Sequence, residues 1–263
     1  MLLPRIIPCL LIKDGGLVKT RQFGEPKYVG DPINAVRIFN EKQVDELIVL
    51  DIDASTHNKE PDLNMISDLA SECRMPLCYG GGIKTTKHIR DIIELGVEKV
   101  SLSSEAIRNP DLISRGASYV GNQSIVVTLD VKRKLFGKHR VFIHNGQVDT
   151  GSDPIDLVRQ FQDLGAGEIV INSINNDGMM KGYDLDLIDA VKDAIGVPLS
   201  VLGGAGSLEH IGELIFKHGT VGACAGSLFI FKGVFRAVLI SYPDAQEKRA
   251  LFDEHYLASV RAN

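Results

Sequence analysis

Asp130 closes a run, Val126-Val127-Thr128-Leu129, that is otherwise built to be buried. A carboxylate at the end of an apolar strand serves either proton transfer or the capping of loop amides, and position alone supports both readings equally. Two glycine clusters offer a second chemistry. Gly80-Gly81-Gly82 and Gly203-Gly204-Ala205-Gly206 each end a short apolar run and precede a helix-like stretch. Glycine lets a backbone approach a ligand closely, and the helix start that follows presents free amide donors to an anion. Each cluster is followed by a serine at the end of the next strand, Ser103-Ser104 after the first and Ser227, beside Gly226, after the second. The pattern predicts two phosphate-like anion sites and a ligand with two anionic ends. Asp51 and Asp53 after the second strand, and Asp177-Gly178 after the sixth, are further polar groups of which some only hold loops.

The elements that must position these groups are legible as a repeat. Met75-Pro76-Leu77-Cys78-Tyr79-Gly80-Gly81-Gly82-Ile83 returns, about half a chain later, as Val197-Pro198-Leu199-Ser200-Val201-Leu202-Gly203-Gly204-Ala205-Gly206. Asp45 to Asp51 echoes Gly167 to Ser173 at similar spacing. A period this long is no solenoid unit and implies two fused halves of four strands and four helices. Short apolar runs alternate with longer periodic segments, the signature of βα units in a parallel sheet. Strands are expected near 5–11, 46–51, 76–80, 98–103, 124–130, 168–172, 198–203 and 221–226. Helices are expected near 31–44, 61–73, 86–95, 109–120, 153–165, 184–195, 207–218 and 233–241. Asp31-Pro32 and Asp153-Pro154 are helix starts, an acidic cap before proline. Gly96, Gly121, Gly165 and Gly219 fall at helix ends. The prediction is one (β/α)₈ barrel over 1–263, with halves at about 1–122 and 123–242 and a helix-prone tail over 243–263. Residues 13–30 read as a long first loop, and 132–152 as a hairpin turning at His144-Asn145-Gly146-Gln147.

Composition narrows the function. The chain has 263 residues, 44% of them hydrophobic, and a net charge of −5. It fits one barrel of about 250 residues. The acidic balance leaves no basic footprint for nucleic acid. The longest apolar runs are far too short to span a membrane, and Pro4 and Pro8 argue against a signal peptide. The four cysteines show no paired spacing and the seven histidines no metal-ligand spacing, so no metal, no cofactor and a reducing cytoplasm are expected.

Taken together, the segments resemble the cyclase subunit of imidazole glycerol phosphate synthase. The resemblance rests on Arg5-Ile6-Ile7-Pro8-Cys9-Leu10, Lys13-Asp14-Gly15, Gly30-Asp31-Pro32, Gly80-Gly81-Gly82-Ile83, Glu98-Lys99-Val100-Ser101, Asp177-Gly178 and Gly203-Gly204-Ala205-Gly206. It implies a barrel that docks a glutaminase subunit on its N-terminal face and passes ammonia to a phosphorylated substrate on the other. Arg5, Glu46, Lys99 and Glu168 then match the family's charged ammonia gate, and Glu98 lies at the partner interface. Of the family's two catalytic aspartates Asp130 matches one, while Leu11 stands where the other belongs. Lys19 and Asp51 are possible helpers. Gly81, Gly82, Ser103, Ser104, Asp177, Gly178, Gly203, Gly204, Gly226 and Ser227 match the anion-holding positions. Ser103-Ser104 replaces the usual Asn-Thr or Asn-Ser pair, and Asn175 replaces an aspartate of loop six.

Leucine exchanges no protons, and with these departures the chain resembles a divergent branch of the family that accompanies surface-polysaccharide and O-antigen genes. Cys9 to Asp14, Glu25 to Ala35, Cys78 to Thr85 and Arg236 to Pro243 resemble that branch. It implies an ammonia-accepting barrel serving the conversion of an acetamido to an acetamidino group on a nucleotide-linked sugar, with a separate sugar-modifying amidotransferase as a further partner. The alternatives are a working histidine-pathway cyclase and a non-catalytic conduit that activates the glutaminase.

Overall fold

A computed structural model describes residues 3–134 and 137–252. Eight parallel strands close into a barrel: β1 Arg5–Lys13, β2 Leu47–Asp51, β3 Leu77–Gly80, β4 Lys99–Leu102, β5 Ile125–Arg133, β6 Glu168–Ser173, β7 Leu199–Leu202 and β8 Gly222–Ala225. Each pairs with its neighbours in chain order, and β8 returns to β1 through Arg5↔Gly222 and Ile7↔Cys224. The helices between them are α1 Pro32–Glu41, α2 Leu63–Glu72, α3 Thr86–Glu94, α4 Asp111–Val120, α5 Pro154–Asp163, α6 Leu185–Lys192 and α7 Leu208–His218. A one-turn helix, Ser104–Arg108, precedes α4.

Strand alternation sorts the side chains into two cores. Ile6, Leu10 and Ile12 of β1 point outward into the layer between barrel and helices. Ile7 and Cys9 point inward, where they meet Ile48, Cys78, Val126, Val170, Leu202 and Cys224, with Leu11 and Leu50 packed against them. The barrel interior is therefore a packed apolar core. Caps fix the helix starts: Asp31 accepts from the Asn34 amide at 2.8 Å, and Asp153 from that of Ile155 at 2.8 Å.

The expected eighth helix over 233–241 is absent. Ser227–Ile230 make one helical turn, after which Phe231–Lys232 and Ala237–Val238 pair as an antiparallel hairpin. Gly233 (φ 71°) and Arg236 (φ 50°) occupy left-handed backbone, which no α-helix interior tolerates. The Arg236 guanidinium lies over the Phe231 ring, 4.6 Å from its centroid, and Lys27 approaches the same ring. Residues 245–252 are helical instead. Leu251 and Phe252 pack on the outer core, and Lys248 bonds Asp45 at 2.8 Å. The tail beyond 252 lies outside the described residues.

The first loop is not plain coil either. Gly16–Lys19 folds back antiparallel on the end of β1, and Lys27–Gly30 pairs with Gly16–Lys19. The hairpin after β5 forms as expected: His139–Ile143 pairs antiparallel with β5, and left-handed His144, Asn145 and Gly146 make the turn.

Candidate functional site

The strand C-termini surround an open cavity enclosing about 1330 Å³, its solvent-filled mouth included. Asp130, Leu11, Lys19, Asp51, Gly80 to Gly82, Gly203 to Ala205, Ser103, Ser104, Asp177, Gly178, Gly226 and Ser227 all line it. Asp130 pairs in register with Asn172 on β6, and its Oδ1 accepts from Asn172 Nδ2 at 2.9 Å. Burial pushes the Asp130 carboxyl up to about 7, against the Asn172 hydrogen bond; the Asp177 charge adds to the rise. A carboxyl that titrates near neutrality is fitted to exchange protons.

Leu11 turns an aliphatic side chain into the same cavity, beside Leu50, and joins the interior apolar cluster. Besides Asp130, the carboxylates lining the cavity among the described residues are Asp51, Glu105 and Asp177. Asp51 Oδ1 caps the amides of Asp53 and Ala54 at 2.9 and 3.1 Å. Asp177 Oδ2 accepts from Thr20 Oγ1 at 2.8 Å, which ties loop six to loop one. Burial holds both above the ordinary carboxylate value. Lys19 is buried, donates to the Cys9 carbonyl at 2.6 Å, and has its pKa lowered by that burial.

The glycine clusters need to be glycine. Gly81 (φ 122°) lies so close to Asp51 that a Cβ would meet its carbonyl oxygen at 2.6 Å. Gly204 (φ 120°) would place a Cβ 2.0 Å from the Gly182 oxygen. Gly204→Ala is therefore expected to cost about 2–4 kcal/mol and to disorder this cradle, checked by urea unfolding and by titration with inorganic phosphate.

Sequence reasoning missed Lys84 and Arg108, which line the cavity with the first cluster and with Ser103-Ser104. Lys84 directly follows Gly80-Gly81-Gly82-Ile83, which is the signal that was available. Lys84 Nζ is held by the Asn58 carbonyl at 3.1 Å. His144, at the tip of the β5 hairpin, donates its amide to Ser104 Oγ at 3.1 Å, so this hairpin folds over the first cluster. Asn172 was also missed.

At the opposite end of the barrel, Arg5, Glu46, Lys99 and Glu168 make a closed ionic ring. Arg5 bonds Glu46 and, at 2.7 Å, Glu168; Lys99 bonds each glutamate at 2.8 Å. Two cations and two anions leave no net charge. Burial pushes the Glu168 carboxyl up, but Arg5 and Lys99 prevail and hold it below its ordinary value. The same pairing holds Lys99 and Arg5 above theirs, although burial opposes it. Glu98, just outside the ring, accepts from the Leu77 amide at 2.6 Å. Among the described residues no cluster of His, Cys, Asp and Glu is placed to hold a metal, and no helix is long and apolar enough to cross a membrane.

A barrel with paired glycine loops at one end and a charged ring at the other is matched by a known family. The profile of the family described as histidine biosynthesis protein covers residues 5–236. The chain belongs to that family. Within it, the chain is a homologue of HisF, the cyclase subunit of imidazole glycerol phosphate synthase. A Leptospira borgpetersenii protein named "Putative imidazole glycerol phosphate synthase subunit HisF" is 55% identical over 253 residues, 96% of this chain and 100% of the relative. A Vibrio vulnificus protein named "Putative imidazole glycerol phosphate synthase subunit hisF3" is 57% identical over 250 residues, 95% of this chain and 96% of its own. The Clostridium botulinum imidazole glycerol phosphate synthase subunit HisF is 41% identical over 233 residues, 88% of this chain and 92% of its own.

Proposed function

We propose that this HisF homologue is the ammonia-receiving barrel of a glutamine-dependent complex. A glutaminase subunit docks beside Glu98 on the face closed by Arg5, Glu46, Lys99 and Glu168. The product served is an acetamidino group, made from an acetamido group on a nucleotide-linked sugar during surface-polysaccharide synthesis, with the separate sugar-modifying amidotransferase activating the acetamido oxygen as the group that leaves when nitrogen takes its place. The observation that carries this reading is the pairing of an intact ionic ring with Leu11, an aliphatic side chain at the mouth beside Asp130. Ammonia enters neutral, because a charged ammonium ion loses far more on leaving water for an apolar interior. It passes Ile7, Ile48, Cys78, Val126, Val170 and Cys224 and arrives under Asp130. Asp130 takes up the proton released when nitrogen is transferred, with Lys19 and Asp51 shaping the field around it. The glycine loops, Ser103, Ser104, Gly226 and Ser227 hold the anionic ends of the ligand, and Asp177 with Gly178 keeps loop one in place over it.

A single proton-exchanging carboxyl suffices to deprotonate an incoming amine. Closing an imidazole ring calls for proton transfer at two positions, and a missing acid or base group typically costs about 10²–10⁴-fold in rate. The chain with its glutaminase is therefore expected to turn the phosphoribosyl intermediate into imidazole glycerol phosphate at about that disadvantage, and Leu11→Asp to recover much of it. Ordinary turnover by the natural sequence would overturn the reading. It would favour the cyclase alternative, which the names of the relatives and the poised Asp130 support.

A further inference from the structure

Three buried side-chain atoms among the described residues lack a hydrogen-bond partner, and one of them, Oδ1, belongs to Asn172, a residue of the cavity wall. Asn172 is 4% exposed. Its Nδ2 is committed to Asp130, so its carbonyl oxygen faces away from that carboxyl, toward the Gly203 turn, where a Cβ would stand 3.1 Å from it. A buried acceptor without a donor costs about 1–3 kcal/mol, a cost that a ligand removes on binding.

Its place in the barrel indicates which ligand. Asn172 stands two residues beyond Val170 on β6, just past the apolar interior cluster. The other polar groups at this level already have partners. The Cys9 carbonyl takes Lys19 Nζ, the Cys224 carbonyl takes the Tyr183 hydroxyl at 3.0 Å, and the Ser101 and Thr128 hydroxyls bond each other at 2.7 Å. We infer that Asn172 is the ammonia-receiving residue of the mouth: Nδ2 holds Asp130, and Oδ1 accepts an N–H from ammonia as it leaves the barrel interior. One N–H engaged in this way leaves the nitrogen lone pair free and turned toward the ligand held by the glycine loops. The inference rests on the ammonia-receiving reading above and adds to it the group that orients the nucleophile.

The test uses the full chain labelled with [4-¹³C]asparagine, with the Asn172 signal assigned from Asn172→Leu and independently from Asn172→Ser. Ammonium chloride is titrated at alkaline pH against tetramethylammonium chloride at equal ionic strength. A saturable shift of the Asn172 carbonyl with ammonia, and none with tetramethylammonium, is the expected result. With [4-¹³C]aspartate reporting from Asp130, Asn172→Leu is expected to weaken ammonia binding about 3–10-fold, the loss of one hydrogen bond. No saturable shift, an equal shift with tetramethylammonium, or a shift produced only by ribose 5-phosphate overturns the inference; the last assigns the oxygen to a ligand hydroxyl. Glutaminase stimulation by the natural chain is measured in parallel. Its presence without the Asn172 shift defeats this inference alone, whereas its absence defeats the ammonia-receiving reading itself.

Discussion

Asp130→Asn is expected to lower nitrogen transfer from glutamine by about 10²–10⁴-fold while making the folded chain more stable at pH 8. Both effects come from the same burial. The folded carboxyl titrates at about 7, whereas an unfolded aspartate titrates near 3.9. Between those values the folded chain keeps a proton that the unfolded chain has released. Stability therefore falls as pH rises through this window and is flat above it with respect to this group. Asparagine carries no such penalty and still accepts from Asn172 Nδ2. The variant's advantage is thus expected to be small near pH 4 and to reach on the order of 2–4 kcal/mol above pH 7. Urea unfolding at pH 4.5, 6 and 8 reads the stability. Amidination assayed in the full assembly reads the rate. An unchanged rate would assign the chain to the conduit alternative, with no proton chemistry of its own.

Glu168→Ala is expected to cost about 3–5 kcal/mol and to lower the urea midpoint clearly at pH 7. The side chain is 6% exposed and takes bonds from Arg5, Lys99 and Ser200. Removing it leaves two part-buried cations facing the single carboxylate of Glu46. Because Arg5 and Lys99 hold the Glu168 carboxyl below its ordinary value, its contribution is complete above the unfolded value of about 4.3 and is lost as pH falls through the folded value. The gap between the natural chain and the variant should therefore narrow below about pH 4. Glu168→Gln, which keeps the shape, should lose less. Both variants should impair use of glutamine-derived ammonia more than use of added ammonium salts. Equal impairment of the two would count against the ring as the entrance.

The barrel was legible because its local signals agree with one another. Asp31-Pro32 and Asp153-Pro154 cap α1 and α5 as read, and the strand ends fall within a few residues of their expected places. The eighth helix misled for a physical reason. Phe231, Val234, Phe235, Val238 and Leu239 repeat at helical spacing, yet Val234 and Phe235 are more than nine-tenths exposed on a hairpin tip. Periodicity registers where apolar residues recur, but not the left-handed backbone at Gly233 and Arg236. The site was legible at the level of which residues share the mouth. The residue types alone did not rank the carboxylates; the family resemblance singled out Asp130. Asp51 and Asp177 look like Asp130 in residue type, and their partners, loop amides and the Thr20 hydroxyl, set them apart. Asn172 carries no sequence signal because its interest lies in an oxygen left without a donor, a property of packing.

The closure of β1 against β8 has a consequence for the order in which the molecule is made. One edge of the first strand finds its neighbour only in Gly222–Ala225, and the Ile6 carbonyl waits for the hydroxyl of Tyr242 at 2.8 Å. A ribosome must therefore release the chain through Tyr242 before β1 is shielded on that side. Until then that edge stays open to stray pairing with other nascent chains.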